Sequence, residues 1–107
     1  MATFDSREKA FEDKFAHEEA LKFKARMKRN VFFASWAANK LGKGKSAEEA
    51  YVNELLEAAV ASADEEYVLH RVKNDFQEAD IDCSDHQLRR TFEDYMTEAK
   101  SELRKGE

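Results

Sequence analysis

The sequence predicts an all-α protein, a four-helix bundle with a long first helix whose N-terminal part is mobile or protrudes from the bundle. Three observations lead to this fold class. The 107 residues include no Pro and only three Gly, so few positions interrupt a helix. Charged residues make up 38% of the chain, and the good helix formers Ala, Glu, Lys and Leu are frequent. The alternating runs of Val, Ile and Thr that indicate strands are missing.

The first helix is predicted to begin at Thr3 or Asp5, either of which can cap free backbone amides, and to continue to Gly42. Its two halves differ in their apolar residues. Residues 3–20 contain one narrow stripe of three, at i, i+7 and i+11: Phe4, Phe11 and Phe15. Residues 21–41 contain a denser set, which we predict to be the core stripe: Phe23, Met27, Val31, Ala34, Ala38 and Leu41. The two stripes lie about 140° apart around the helix and therefore face different surroundings.

The rest of the chain predicts three further helices, joined by short connections that favour antiparallel neighbours. Sequences that can cap a helix precede each of them: Ser46 to Glu49, Asp64 or Ser62 with Glu65, and Ser84 to Gln87. We expect residues 1–20 to be a mobile segment and residues 21–107 to be a helical bundle domain, with helices at about 21–41, 47–62, 65–79 and 85–104.

Charge is segregated along the chain. The net charge is −3 over residues 1–20, +8 over residues 21–45 and −10 over residues 46–107, which gives −5 in total. Two interpretations fit the basic stretch: it lies among acidic neighbours within the bundle, or it forms a patch for phosphate or nucleic acid. The acidic remainder would repel nucleic acid, so we expect no nucleic-acid partner.

The cellular setting is predicted from three further features. A single cysteine, Cys83, excludes an internal disulfide and fits a reducing compartment. No apolar run reaches the roughly 18 residues that a membrane span needs. The N-terminus lacks the basic and then apolar layout of a signal peptide. We expect a soluble cytoplasmic protein that does not insert into a membrane.

One motif leaves an alternative function open. Residues 39–46 match the phosphate-loop pattern G-x-x-x-x-G-K-S/T except at the first position, where Asn39 replaces Gly. That loop requires a preceding strand, and a helix is predicted here, so we reject a nucleotide-hydrolysing enzyme. A small nucleotide- or phosphate-binding bundle remains the alternative. In it, Lys43, Lys45 and Ser46, with the free amides of the second helix, would hold a phosphate group, including that of an adenine nucleotide.

Other chemistry is not indicated. The segment Asp80-x-Asp82-x-Ser84 begins like a calcium loop but lacks the Gly and Glu that the later positions need. The histidines show no zinc-ligand spacing with Cys83. We therefore expect no catalytic residues, no metal and no resident cofactor.

The N-terminal Phe stripe has two interpretations: it folds back on the bundle as a peripheral helix, or it enters a groove of a partner. Burying three Phe gives at most about 9 kcal/mol. Ordering about twenty residues costs more than that, so we expect the segment to be loosely ordered alone. The charged residues beside the stripe are placed to add contacts to a partner: Arg7, Glu8, Glu12 and Lys14.

Residues 4–17, Phe-Asp-Ser-Arg-Glu-Lys-Ala-Phe-Glu-Asp-Lys-Phe-Ala-His, resemble the opening of the zeta subunit family. These are small inhibitors of the alphaproteobacterial F-type ATP synthase. One departure is Phe32-Phe33-Ala34, where members usually have Leu-Leu-Gly. The resemblance continues through Phe23-Lys24, Arg29-Asn30, Trp36-Ala37-Ala38, Lys40-Leu41-Gly42 and the run from Asp85 to Arg90.

The resemblance implies a non-enzymatic inhibitor that is monomeric when free and peripheral to the inner membrane through the ATP synthase. It implies that the N-terminal segment enters the catalytic head between the alpha and beta subunits, near gamma. There the segment becomes helical and stops rotation in the hydrolytic direction. The implied inhibitory residues are Phe4, Asp5, Arg7, Glu8, Phe11, Glu12, Lys14, Phe15 and His17.

Overall fold

The structure, a computed structural model, describes the backbone of residues 2–106 and the side chains of residues 14–106. Four α-helices follow one another along the described chain, which contains no strand. Their bounds are α1 Ala2–Lys40, α2 Lys45–Ala61, α3 Tyr67–Glu78 and α4 Asp85–Lys105. The predicted fold class, an all-α four-helix bundle with a long first helix, is confirmed.

Helix α1 is unbroken through the change in composition near residue 20. Its 39 residues correspond to about 58 Å, and the molecule measures 65 × 28 × 27 Å. The side chains of residues 14–20 are all exposed, and Leu21 is the first that is partly covered. The N-terminal part of α1 therefore protrudes from a bundle built on its C-terminal half. The predicted mobility of residues 1–20 stays a prediction, and the side chains of residues 2–13 lie outside the described part.

Helices α1 and α3 end in the same backbone motif. Gly42 has a φ of 75°, and its N–H donates to the carbonyl of Asn39 at 3.1 Å. The next N–H, of Lys43, donates to the carbonyl of Ala38 at 3.0 Å. This pair of bonds is a Schellman motif, so the C-cap predicted at Gly42 is confirmed. Helix α3 ends likewise, with Asp80 at a φ of 54°.

The cap predicted for α1 at Thr3 or Asp5 lies outside the described side chains. Of the N-terminal caps predicted within residues 14–106, only the one on α4 is confirmed as a helix cap. The N–H of Gln87 donates to Ser84 Oγ, and the N–H of Ser84 donates to Gln87 Oε1, both at 3.1 Å. The capping box predicted at Ser46 is wrong, because α2 begins at Lys45 after Gly44 and has no side-chain cap. In that first turn the carboxylate of Glu48 accepts a hydrogen bond from the Ser35 hydroxyl and so ties α2 to α1.

The residues predicted to cap α3 cap the preceding turn instead. The Asp64 carboxylate accepts from the N–H of Glu66 at 2.9 Å, and Ser62 Oγ accepts from the N–H of Asp64 at 3.0 Å. The helix itself begins later, at Tyr67, with no side-chain cap. The turn uses the short polar side chains because they reach the backbone two residues on.

The core contains buried residues of all four helices, and aromatic rings connect α1, α3 and α4. The ring of Phe33 lies 5.5 Å from that of Trp36 and 5.1 Å from that of Phe92. Trp36 in turn packs on Phe76 at 5.7 Å. The largest fully buried side chains are Phe33, Leu55, Val68, Val72, Phe76 and Leu88.

The predicted core stripe of α1 is partly wrong. Ala34 and Ala38 are buried, but Phe23 is 47% exposed and Val31 is 37% exposed. The buried face of α1 is rotated toward small side chains, since α2 and α4 approach it from two sides and close approach favours Ala over larger residues. From residue 14 onward, the buried residues of α1 are Ala25, Arg29, Asn30, Phe33, Ala34, Ala37 and Ala38.

Candidate functional site

The protruding end of α1 is the main candidate site. Phe15 is 60% exposed on a stretch of helix that is exposed on every described side. Lys14 and His17 are exposed beside it. The remaining six predicted site residues have side chains outside the described part: Phe4, Asp5, Arg7, Glu8, Phe11 and Glu12.

The continuous helix sets the register of the predicted stripe. Because α1 runs from Ala2 to Lys40 without a break, positions 4, 11 and 15 fall within about 40° of one another around its axis. A stripe of Phe residues on a protruding helix, of which Phe15 is exposed, is suited to a groove in another protein. Tertiary packing supplies most helical stability in proteins, and the side chains of residues 14–20 are all exposed.

Two depressions flank α1 at residues 21–27, where the protruding segment leaves the bundle. We call residues 21–27 the neck. The first lies between α1 and α4, measures about 360 Å³ and has an apolar floor of Leu21, Ala25 and Leu103. The second lies between α1 and α2, measures about 270 Å³ and is bordered by Phe23 and Val60, among others. The bundle therefore presents apolar surface on both sides of the helix where it emerges.

A buried arginine fixes the neck to the rest of the bundle. Arg29 is 6% exposed, and its guanidinium donates to Asn30 Oδ1 at 3.0 and 3.2 Å and to the carbonyl of Glu65 at 3.2 Å. Burial, helped by the charge of Arg26, lowers the pKa of Arg29 to about 10. The group stays charged at neutral pH. The sequence pattern missed this residue because a charged side chain is normally counted as exposed.

The other basic residues of α1 are shared between acidic neighbours and solvent. Lys28 pairs with Glu102 of α4 at 3.1 Å, and Lys22 pairs with Glu19 at 3.3 Å. The ammonium of Lys40 lies 6.0 Å from the ring of Trp36. Part of the basic stretch thus lies against the bundle.

The predicted phosphate turn does not assemble into a phosphate loop, because the helix α1 precedes it. The Lys43 ammonium lies 5.2 Å from the ring of Tyr51, whose hydroxyl donates to Asp75 Oδ2 at 2.7 Å. Lys45 and Ser46 are exposed in the first turn of α2. The same turn carries an acidic side chain, Glu48, which repels phosphate. The arrangement gives phosphate binding less support than the sequence pattern alone.

No arrangement for catalysis or metal binding emerges among the described residues. Across residues 14–106, no three or more His, Cys, Asp or Glu side chains are grouped to hold a metal ion. Burial raises the pKa of the Cys83 thiol, which disfavours the reactive thiolate. No helix within residues 2–106 is both long enough and apolar enough to cross a bilayer.

The fold and the site define an all-α bundle from which the N-terminal part of one long helix protrudes. The family model of the ATPase inhibitor subunit zeta matches residues 1–102. The chain therefore belongs to the ATPase inhibitor subunit zeta family, which confirms the resemblance seen in the sequence. A comparison with curated proteins found no match. As a member of this family the protein is a regulatory, non-catalytic inhibitor subunit that interacts with the ATP synthase.

Proposed function

We propose that residues 1–20 of this inhibitor subunit insert as a helix at an interface of the alpha, beta and gamma subunits in the catalytic head of the F-type ATP synthase. The insertion stops rotation and so blocks ATP hydrolysis. The observation that carries the proposal is that α1 begins at Ala2, yet its side chains from 14 to 20 are all exposed. Residues 21–107 form the domain that stays outside the interface.

Inhibition by insertion needs no bond to be made or broken. Rotation changes the shape of the interface between subunits, so a helix that fits one rotary state binds that state more tightly than the others. A ligand shifts such an equilibrium only by its differential affinity. Moving a population from 1:99 to 99:1 takes about 10⁴-fold preference for one state. A protruding helix of about 18 residues and 27 Å offers enough surface for that preference.

The bundle prepares the segment for insertion. Starting an isolated helix is costly, whereas extending an existing helix adds one hydrogen bond for each residue ordered. Since α1 is anchored in the bundle from Leu21 onward, residues 1–20 extend a helix that is already nucleated. This lowers the ordering cost, which burial of three Phe at about 9 kcal/mol does not cover alone.

In this role the protein lies in the cytoplasm, peripheral to the inner membrane through the ATP synthase. It is a monomer when free. The direct test combines Phe11→Ala with Phe15→Ala in a hydrolysis assay on purified cognate ATP synthase. We expect at least about tenfold weaker inhibition, since about 1.4 kcal/mol of lost binding already gives that factor. The matched control combines Lys9→Ala with Asp13→Ala on the same segment, outside the stripe. Equal losses in the two variants would contradict insertion through the Phe stripe.

A further inference from the structure

The neck carries an exposed apolar patch that the bundle does not use. Four large apolar side chains are exposed within residues 14–106: Phe15, Phe23, Val31 and Val60. Single exposed apolar residues are ordinary on protein surfaces. Phe23 and Val60 are not isolated, because together with Met27 and Ala59 they border the depression of about 270 Å³ between α1 and α2. We call these four residues the neck patch.

The neck patch continues from the protruding segment. Phe23 follows Phe15 by eight residues on the same unbroken helix, about 12 Å along the axis and about 80° around it. A partner that encloses α1 as far as Phe15 therefore comes within contact distance of the bundle at Phe23. On the opposite side of α1, Leu21 and Leu103 line the other depression and are half-buried, whereas Phe23 and Val60 are largely exposed.

The charges around the neck indicate the chemistry of the surface that meets it. Lys22 and Lys28 have carboxylate partners within this chain, Glu19 and Glu102. Among the side chains of residues 14–106, no carboxylate pairs within 4.0 Å with the next two cations after Phe23 in the chain, Lys24 and Arg26. Two carboxylates border the depression between α1 and α2. Asp64 pairs with His70 at 2.7 Å, and the charge of Glu65 acts on Arg29. Lys24 and Arg26 are therefore complemented by an apolar surface that also carries carboxylates.

We propose that the neck patch docks on the outer rim of the same catalytic head that takes up residues 1–20, against an apolar surface bearing carboxylates. This inference rests on the proposed function. Docking at the rim has a consequence for inhibition: the bundle acts as a stop that fixes how deep α1 enters. It also fixes the rotation of the helix about its axis, and so the direction in which the Phe stripe faces.

The test uses the full-length chain with Phe23→Ser and Val60→Ser combined. Both side chains are largely exposed, so thermal stability should stay close to that of the wild type, which circular dichroism checks. We expect affinity for the purified cognate synthase to fall at least about tenfold, with full inhibition retained at saturating concentration. The matched control is Val31→Ser, an exposed apolar residue of α1 that lies outside the patch and farther from the protruding segment. Its affinity should stay within about twofold of the wild type.

Two results would overturn the docking proposal. One is an affinity of the Phe23→Ser, Val60→Ser variant within twofold of the wild type. The other is self-association of the wild-type chain, measured by sedimentation, together with a variant that no longer self-associates but binds the synthase as well as the wild type does. The patch would then join two copies of this chain. The proposed function fails separately: if the Phe11→Ala, Phe15→Ala variant inhibits fully while the neck variant binds weakly, the patch docks without insertion.

Discussion

The guanidinium of Arg29 lies 4.0 Å from the ring centroid of Phe92 and so joins α1 to α4 inside the bundle. Its hydrogen bonds go to Asn30 on the same helix and to the backbone of Glu65 in the α2–α3 connection. One side chain thus contacts three parts of the chain just beyond the neck. The base from which the protruding helix emerges is therefore held by a buried charge as well as by apolar packing.

Replacing Arg29 should destabilise the bundle. We expect Arg29→Ala to lower the free energy of unfolding by about 2–4 kcal/mol, because it opens a cavity beside Phe92 and leaves buried acceptors without their donor. Urea denaturation followed by circular dichroism measures this. Arg26→Ala on the same helix is the control, with an expected loss below about 1 kcal/mol, as for a surface position. Similar losses for both variants would mean that the buried arrangement contributes little.

The two phenylalanines at positions 33 and 23 should differ strongly in their effect on stability. Phe33 is fully buried, and Phe23 is 47% exposed. Phe33→Ala should cost about 3–5 kcal/mol through cavity formation. Phe23→Ala should cost about 1 kcal/mol, because much of its ring already contacts water. The comparison by chemical denaturation would contradict the assignment of the core if Phe23→Ala were the more destabilising change.

The α2–α3 connection should make stability sensitive to acid. The backbone N–H of Glu66, and next the His70 side chain at 2.7 Å, hold the pKa of Asp64 below its ordinary value. A carboxylate with a lowered pKa stabilises the folded state above the ordinary value of about 4 and loses this contribution as the pH falls through the lowered value. Wild-type melting temperature should therefore fall more steeply below pH about 4 than that of Asp64→Asn. If the melting temperatures of the two proteins fell in parallel with pH, the Asp64 carboxylate would not stabilise the folded state.

The helices were predictable because their ends have local causes. The left-handed backbone at Gly42 and the reciprocal bonds of Ser84 depend on neighbouring residues only. The buried face of α1 was not predictable from the sequence, because it depends on where α2 and α4 pack. A hydrophobicity pattern gives weight to Phe23 and Val31, whereas the packed helices bury Ala37. Non-local packing of this kind cannot be read from a periodicity.

The candidate site was predictable in part for the same reason. The spacing of the Phe stripe is local, and the exposure of Phe15 agrees with a stripe that faces away from the core. The neck patch was missed, because Phe23 had been assigned to the core. Val60 belongs by its spacing to the apolar set of the second helix, which predicts a packed residue, whereas the structure leaves it 62% exposed. Only the juxtaposition of α1 and α2 reveals that surface.

Removing residues 2–17 tests the central claim most directly, with ATP hydrolysis by the purified cognate synthase as the readout. We expect the shortened chain to lose inhibition while its melting temperature stays close to that of the full chain. Side chains 14–20 are exposed, and the first buried residue from position 14 onward is Ala25. Retained inhibition by the shortened, folded chain would contradict insertion of the N-terminal helix. Loss of the fold on truncation would show instead that the segment belongs to the core.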